Sequence, residues 1–385
     1  MKILFECASI TPGESCGVET FLYSLIRGFQ RIDKDELFIN IPPGTRDKYE
    51  AVIDVNNVKL LEDVRYVNFL IGRVCVGILR RIGFTSIADA ILDARRRKWS
   101  KACEKDVDIV LYPFHKGIKI CHKRKPVILV MHDLRDLERD TERLMSFYHE
   151  QINKCKAIIT SWPHPFQLLK NYFPEYTDKF YMIHFPPEPM PLEQDLKTIH
   201  LNRLLIYPSS NGIDKNHENL IKALGILKKQ GTEKIRIICP GTQSKDRAVL
   251  LNELAKQNYV QDWISFIGFV PRDHIRWLYQ VCSGVITTTK YEAFSGAVFE
   301  GFCYGKPIAC SNIPPLKSLI DKMDVTVKYF NPDDPNDIAA SIIEIIENPS
   351  PYILGSLNAR QYLSTITQEN TAKQYREIFQ KVIKG

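Results

Sequence analysis

No two cysteines in this chain stand in a CxxC pair. Ten are present, from Cys7 to Cys310, but they occur singly and most lie in apolar runs. That excludes the common zinc and redox motifs and points to reduced, buried thiols in a cytosolic protein rather than a disulfide framework. Also missing is an apolar run of the ~20 residues that a membrane span needs. The nearest stretch, VNFLIGRVCVGIL, carries Arg73 at its centre. The opening MKILFECASITPG is no secretory signal, because its apolar part is short and broken by Glu6. There is no low-complexity tract, no Gly/Ser linker and no repeat at a fixed period, which argues against disordered and solenoid architectures. Neither sign of charge dominates: 52 Lys and Arg stand against 45 Asp and Glu, a net +7. That modest excess favours anionic partners such as phosphates or an acidic membrane surface. No RNA- or DNA-binding motif accompanies it, so nucleic acid is not an expected partner.

What is present fits two α/β domains, since 385 residues is about twice a typical single domain. A short apolar run, Lys2 to Ala8, predicts a buried strand. The turn-rich TPGESCG follows, and then GVETFLYSLIRGFQR, whose Val18, Phe21, Leu22, Leu25, Ile26 and Phe29 share one helical face. Strand, glycine-containing loop and helix is how doubly wound domains begin. LFINI, VDIVLY, PVILVMHD and AIIT predict further parallel strands, and the apolar, basic stretch 66–101 predicts two inserted helices. The proline-rich HFPPEPMPLEQD is the candidate linker. A second alternation follows. LLIYP, KIRIICPG, WISFIGFV, GVITTT and PIAC predict strands; NHENLIKALGILKKQG, RAVLLNELAKQ, PNDIAASIIEIIEN and TQENTAKQYREIFQKVIKG predict helices. Two such blocks imply two Rossmann-like domains with the site in the cleft between them.

The chemistry concentrates between Thr287 and Leu316. A strand ends in a threonine run, Glu292 follows, and Glu300 comes after seven intervening residues, with the small Ala293, Ser295, Gly296 and Ala297 between them. Small residues at a helix start leave backbone N–H groups open to a diphosphate, helped by the helix dipole. A carboxylate before the helix can accept from sugar hydroxyls, and a second one two turns on can accept from a ribose diol.

The segment EAFSGAVFEGFCYGKPI resembles the Glu–x7–Glu signature of family 4 of the retaining glycosyltransferases. Ala293 and Ser295 replace the usual glycines, Gly301 replaces the usual alanine, and both glutamates, Phe294, Gly305 and Pro307 keep their places. The similarity runs further. GVET is similar to the family's Gly-Gly-x-Glu loop, VMHDL to its Val-His-Asp segment, and YPSSNGIDKNHENLIKAL to the strand, loop and helix of its cationic clamp. FIGFVPRDHIRWLY is similar to the segment beside the base, and YFNPDDPNDIAASI to the closing segment of the second domain.

The resemblance implies the GT-B fold, an α/β architecture of two Rossmann-like domains facing each other across a cleft. The domains would be an acceptor-binding domain over 1–190 and a nucleotide-sugar domain over 200–365, with a final helix, 366–385, packing back on the first. It implies a retaining hexosyltransferase of polysaccharide biosynthesis, independent of metal and of any cofactor beyond a UDP- or GDP-sugar co-substrate. Glu292, Lys215 and His132 would be catalytic. Gly17, Ser210, Lys215, Phe294, Ser295, Gly296, Ala297 and Glu300 would bind the donor. The acceptor would be a glycan or lipid-linked, and the enzyme cytoplasmic. The apolar and basic residues of 66–101 suit two readings, a peripheral place on the inner membrane face or a domain core with a solvated basic face. Many relatives carry an arginine five residues before the clamp lysine, and here that position is Ser210. Lys215 would then act alone, or with Lys290 or His217. Asn216 and His217 also suit a capping role for the next helix, and the aromatic residues of DHIRWLYQ suit the core. Within the same fold the alternatives are an isomerase and a non-catalytic sugar-nucleotide or membrane-binding protein. A phosphorylase would need a pyridoxal lysine and is typically longer. A nicotinamide-dependent oxidoreductase would need a GxGxxG turn, which CASITPGESCGVE lacks.

Overall fold

The short apolar runs become parallel strands, most of them covered on both faces, which is why they are continuous runs rather than alternating patterns. In the computed structural model the chain divides into two units, Met1–Pro186 with Ile366–Gly385, and Pro187–Thr365. The structure describes all residues except 14–15, 63–77, 79–80, 82–86, 88–101, 117–118, 140, 187–200, 293 and 324. Most of the expected helical insertion at 66–101, most of the proline-rich linker, and Ala293 lie outside the described residues. No helix among the described residues is long and apolar enough to cross a membrane.

The first unit holds strands β1 (Lys2–Glu6), β2 (Glu36–Ile41), β3 (Val58–Glu62), β4 (Ile109–Tyr112), β5 (Val127–Val130), β6 (Ala157–Thr160) and β7 (Phe180–Met182), ordered β3-β2-β1-β4-β5-β6-β7. Its described helices are α1 (Cys16–Ile32), α2 (Arg46–Glu50), α3 (Arg135–Arg139), α4 (Thr141–Lys154) and α5 (Pro163–Tyr172). The second unit holds β8 (Leu204–Ile206), β9 (Arg236–Pro240), β10 (Ile264–Gly268), β11 (Gly284–Thr287), β12 (Ile308–Ser311) and β13 (Lys328–Phe330), ordered β10-β9-β8-β11-β12-β13. Between and after these run α6 (His217–Lys229), α7 (Lys245–Gln257), α8 (Arg272–Val281), α9 (Gly296–Cys303), α10 (Pro314–Ile320), α11 (Pro335–Glu347) and α12 (Ser350–Ser364). The strand order reverses between β1 and β4 in one sheet and between β8 and β11 in the other. The crevice beyond the strand ends at such a reversal is where open parallel sheets bind ligands.

The last helix, α13 (Gln368–Lys384), belongs to the first unit. It lies against α1, where Phe29 stacks on Phe379 with ring centroids 5.8 Å apart. The backbones approach closely: a Cβ on Gly28 would stand 2.2 Å from the Gln368 carbonyl oxygen. Arg376 Nε reaches Asp35 Oδ2 at 3.0 Å, and Thr371 Oγ1 donates to the His184 carbonyl at 3.0 Å.

At the end of β1 sits a buried charged group. His122 Nε2 lies 3.0 Å from Glu6 Oε2 and its Nδ1 lies 3.2 Å from Glu104 Oε1. Asn40 Nδ2 donates to Glu6 Oε1 at 2.7 Å, and the Lys123 backbone N–H donates to Glu104 at 2.8 Å. Burial opposes charge on the imidazole, but the two carboxylates outweigh it and raise the His122 pKa to about 9.

Two outcomes follow from this packing. The folded pKa of His122 exceeds the ordinary value near 6.5, so its contribution, on the order of 3 kcal/mol, is complete below about pH 6.5 and is lost as pH rises through about 9. Chemical denaturation followed by circular dichroism across pH 6 to 10 is expected to show that loss, and His122→Asn to flatten it. Gly28→Val is expected to cost about 1–3 kcal/mol by overpacking the α1–α13 contact; unchanged stability would show that the helices separate without penalty.

Candidate active site

The β8 and β11 strands are neighbours, and the loops that leave their C-terminal ends are bound to each other. The buried Thr288 holds its Oγ1 3.1 Å from the Lys215 carbonyl oxygen and 3.2 Å from that of Asn216. Thr289 Oγ1 is 3.1 Å from the Asp214 carbonyl oxygen, and the Lys290 N–H donates to that same carbonyl at 2.8 Å. Tyr207 Oη donates to the Lys215 carbonyl at 2.9 Å. Asn216 takes the left-handed conformation, φ 56°, which asparagine tolerates better than most residues. Its amide does not cap α6. It donates instead to the carbonyls of Thr288 at 3.0 Å and Pro332 at 2.7 Å, so the capping role expected for it is replaced by a bridge between loops. A third loop closes in at Gly241, where φ is 152° and a Cβ would stand 2.0 Å from the Ser209 carbonyl oxygen; only glycine fits there.

This stitching brings Lys215 Nζ to 2.6 Å from Glu292 Oε1, with both side chains mostly covered. Ser210 lies in the same loop, half-buried. Neither partner considered for Lys215 behaves as a second open cation. His217 is buried with Nε2 3.2 Å from Ser209 Oγ. Burial first, then the charges of Arg247 and Lys215, depress its pKa to about 3, so it is neutral. Lys290 is exposed, and its ammonium sits 2.5 Å from Asp333 Oδ1.

Ser295 precedes α9 in an extended conformation and is buried, although its hydroxyl makes no cap bond to the helix. A Cβ on Gly296 would meet nothing within 4 Å, and Ala297 is buried in the first turn. Phe294 packs its ring 4.5 Å from that of Phe299, so it covers the helix start from within the unit. Glu300 Oε1 lies 2.8 Å from Arg272 Nη2 at the start of α8. Tyr279 on the same helix stacks on Tyr304 at 5.3 Å and donates to the Ala297 carbonyl at 3.3 Å. Burial, followed by the charge of Glu300, pushes its phenol well above the ordinary range. The far end of α8 is held by buried Lys306, which donates to the carbonyls of Gln280 at 2.8 Å and Cys282 at 2.9 Å. The core role expected for the aromatics of DHIRWLYQ therefore holds for Tyr279 but not for Trp277, which is 53% exposed.

His132 and Gly17 belong to the first unit. His132 follows β5, with Nδ1 3.1 Å from Ser161 Oγ and its ring against the edge of Phe21 at 4.3 Å. Burial, then nearby His115, lowers its pKa to about 3, so it is a neutral hydrogen-bonding group. Next to it, Asp133 is held at about 2: burial alone would raise it, but Arg135 and Lys116, each 2.9 Å away, outweigh that. Gly17 lies in the first turn of α1 rather than in the preceding loop, exposed and facing open space.

Residues 194–368 match the family described as Glycosyl transferases group 1. That match takes in nearly all of the second unit. Across the whole chain the fold is that of the GT-B glycosyltransferases. Anabaena HepE, solved in complex with UDP and glucose, superposes with a TM-score of 0.69 at 16% identity over 99% of this chain and 100% of that one. WaaG, a glycosyltransferase involved in lipopolysaccharide biosynthesis, gives 0.65 at 11% identity over 98% and 99% of the two chains. By sequence the chain is 22% identical over 300 residues to the O-antigen chain mannosyltransferase B of Escherichia coli, 72% of this chain and 75% of that one.

In the second unit the Lys215–Glu292 pair is mostly covered, so removing one partner takes away a contact that water replaces poorly. Lys215→Met and Glu292→Gln are each expected to destabilise the protein by about 1–3 kcal/mol, with the double variant recovering part of the loss. Thermal denaturation of the four proteins measures the coupling, and strictly additive losses would mean that the pair does not interact.

Proposed function

We propose that the protein is a retaining hexosyltransferase that moves a sugar from a UDP- or GDP-sugar to a glycan or lipid-linked acceptor without a metal ion. The observation that carries this reading is the 2.6 Å contact between Lys215 and Glu292 at the point where the strand order of the second sheet reverses. A lysine and a carboxylate held together there suit a ligand that is anionic at one end and rich in hydroxyls at the other. The donor diphosphate competes with Glu292 for the Lys215 ammonium, and the released carboxylate accepts from hydroxyls of the transferred sugar. Lys215 and the open N–H groups at the start of α9 then stabilise the charge that grows on the departing nucleoside diphosphate. Glu300 accepts from the ribose diol.

Glu292 orients the sugar rather than attacking it. Glu292 and Glu300 stand eight positions apart around the start of one helix, poorly placed for the pair flanking one bond that a retaining hydrolase uses. Retention is assigned to front-face attack, with a donor phosphate oxygen taking the acceptor proton. Neutral His132 offers a hydrogen bond to the sugar. The UDP and glucose bound to HepE, and the mannosyl transfer named for the Escherichia coli relative, support a nucleotide-sugar donor and a polysaccharide product. The basic, apolar sequence of 66–101 supports work at the cytoplasmic face of an anionic membrane.

Titration calorimetry with UDP, GDP and ADP is expected to show binding of at least one. Transfer from the matching sugar nucleotide should fall at least about a hundredfold in Lys215→Ala and in Glu292→Ala, and should survive EDTA. No binding of any of the three at millimolar concentration would sink the donor reading. Activity lost on chelation and restored by Mg²⁺ or Mn²⁺ would overturn metal independence. Binding without turnover of any sugar nucleotide would favour the non-catalytic alternative, to which Ser210 gives its one specific support.

A further inference from the structure

Arg272 has no part in the scheme above, yet its guanidinium lies 2.8 Å from Glu300. We propose that Arg272 is a positioning residue for Glu300, and that the two together set how strongly the site depends on the ribose hydroxyls of the donor. The inference rests on the reading of Glu300 as the ribose carboxylate.

The geometry makes the case in three steps. First, the pair does little for folding. The side chains are 39% and 23% exposed, and an ion pair so open to water is weak as a source of stability. Second, it constrains the carboxylate. Arg272 engages Oε1 from one side, while Tyr279, whose phenol is raised in part by Glu300, stands about two turns further along the same helix. A carboxylate held this way presents a fixed plane to a diol, which a freely rotating glutamate does not. The holder is itself rigid: α8 is tied at its far end by Lys306 to the carbonyls of Gln280 and Cys282. Third, it corrects a charge conflict. A bare carboxylate in a site for a nucleoside diphosphate repels its own ligand; with Arg272 on Oε1 the ribose end becomes nearly neutral while keeping an acceptor.

The test separates this inference from the reading beneath it. Wild type, Arg272→Gln, Arg272→Lys and Glu300→Gln are titrated calorimetrically with UDP, GDP and their 2′-deoxy and 3′-deoxy counterparts, and donor KM and kcat are measured for the active nucleotide. In wild type, removing a ribose hydroxyl is expected to weaken binding roughly tenfold, as for one hydrogen bond to a charged group. Arg272→Gln is expected to weaken the ribonucleotide by a similar factor while the deoxy penalty shrinks below about twofold, because both changes remove the same interaction. Donor KM should rise with kcat at saturation nearly unchanged, and Arg272→Lys should fall between the two. An unchanged deoxy penalty in Arg272→Gln overturns the inference and leaves the donor reading standing. Failure of wild type to bind any of the nucleotides overturns both.

Discussion

Two loops leaving adjacent parallel strands must be fixed to each other before a lysine on one can meet a carboxylate on the other. Here the fixing is done by hydroxyls and an amide rather than by apolar packing. Thr288, Thr289 and Tyr207 serve the carbonyls of the 214–216 turn, and Asn216 reaches back to Thr288 and across to Pro332. These groups are buried, so each bond carries a penalty if it is left unmade. The loops are therefore locked in register, and Lys215 and Glu292 inherit their 2.6 Å separation from contacts that involve neither side chain's charge. The distribution of labour is clear: threonines and asparagine supply the geometry, lysine and glutamate the chemistry.

Much of this was legible in the sequence because it is periodic or local. The apolar face of α1 is buried as its spacing predicts, and Phe21, Leu22, Leu25, Ile26 and Phe29 all lie inside. The Glu–x7–Glu spacing placed both glutamates around the start of one helix. The strands that escaped notice, β3, β7 and β13, are edge strands of their sheets; a strand covered on one side, or only three residues long, leaves no distinctive run. The bridging role of Asn216 and the supporting role of Lys306 also escaped. Each depends on a partner far along the chain, Pro332 for one and Gln280 for the other, and no short-range pattern encodes that. The same limit hid the Arg272–Glu300 contact.

The histidines show how far environment, rather than residue type, decides charge. His217 and His132 are pushed to about 3 by burial and nearby like charges, whereas His122, also buried, rises to about 9 between two carboxylates. A histidine beside a clamp lysine looks like spare positive charge in the sequence. Enclosed against Tyr207 and Phe266, with ring centroids at 4.8 and 5.3 Å, it is a neutral packing group with one hydrogen bond.

The position of α13 bears on how the chain is made. The second unit, Pro187–Thr365, is one uninterrupted stretch, whereas the first is completed by Ile366–Gly385. During synthesis from the N-terminus, every residue of the second unit is made before residues 366–385, which complete the first. The α1 face at Gly28 and Phe29 therefore stays uncovered by its own helix partner while the second unit is made. The unit that begins first is thus finished last, and the newborn protein carries an uncovered apolar face through most of its synthesis.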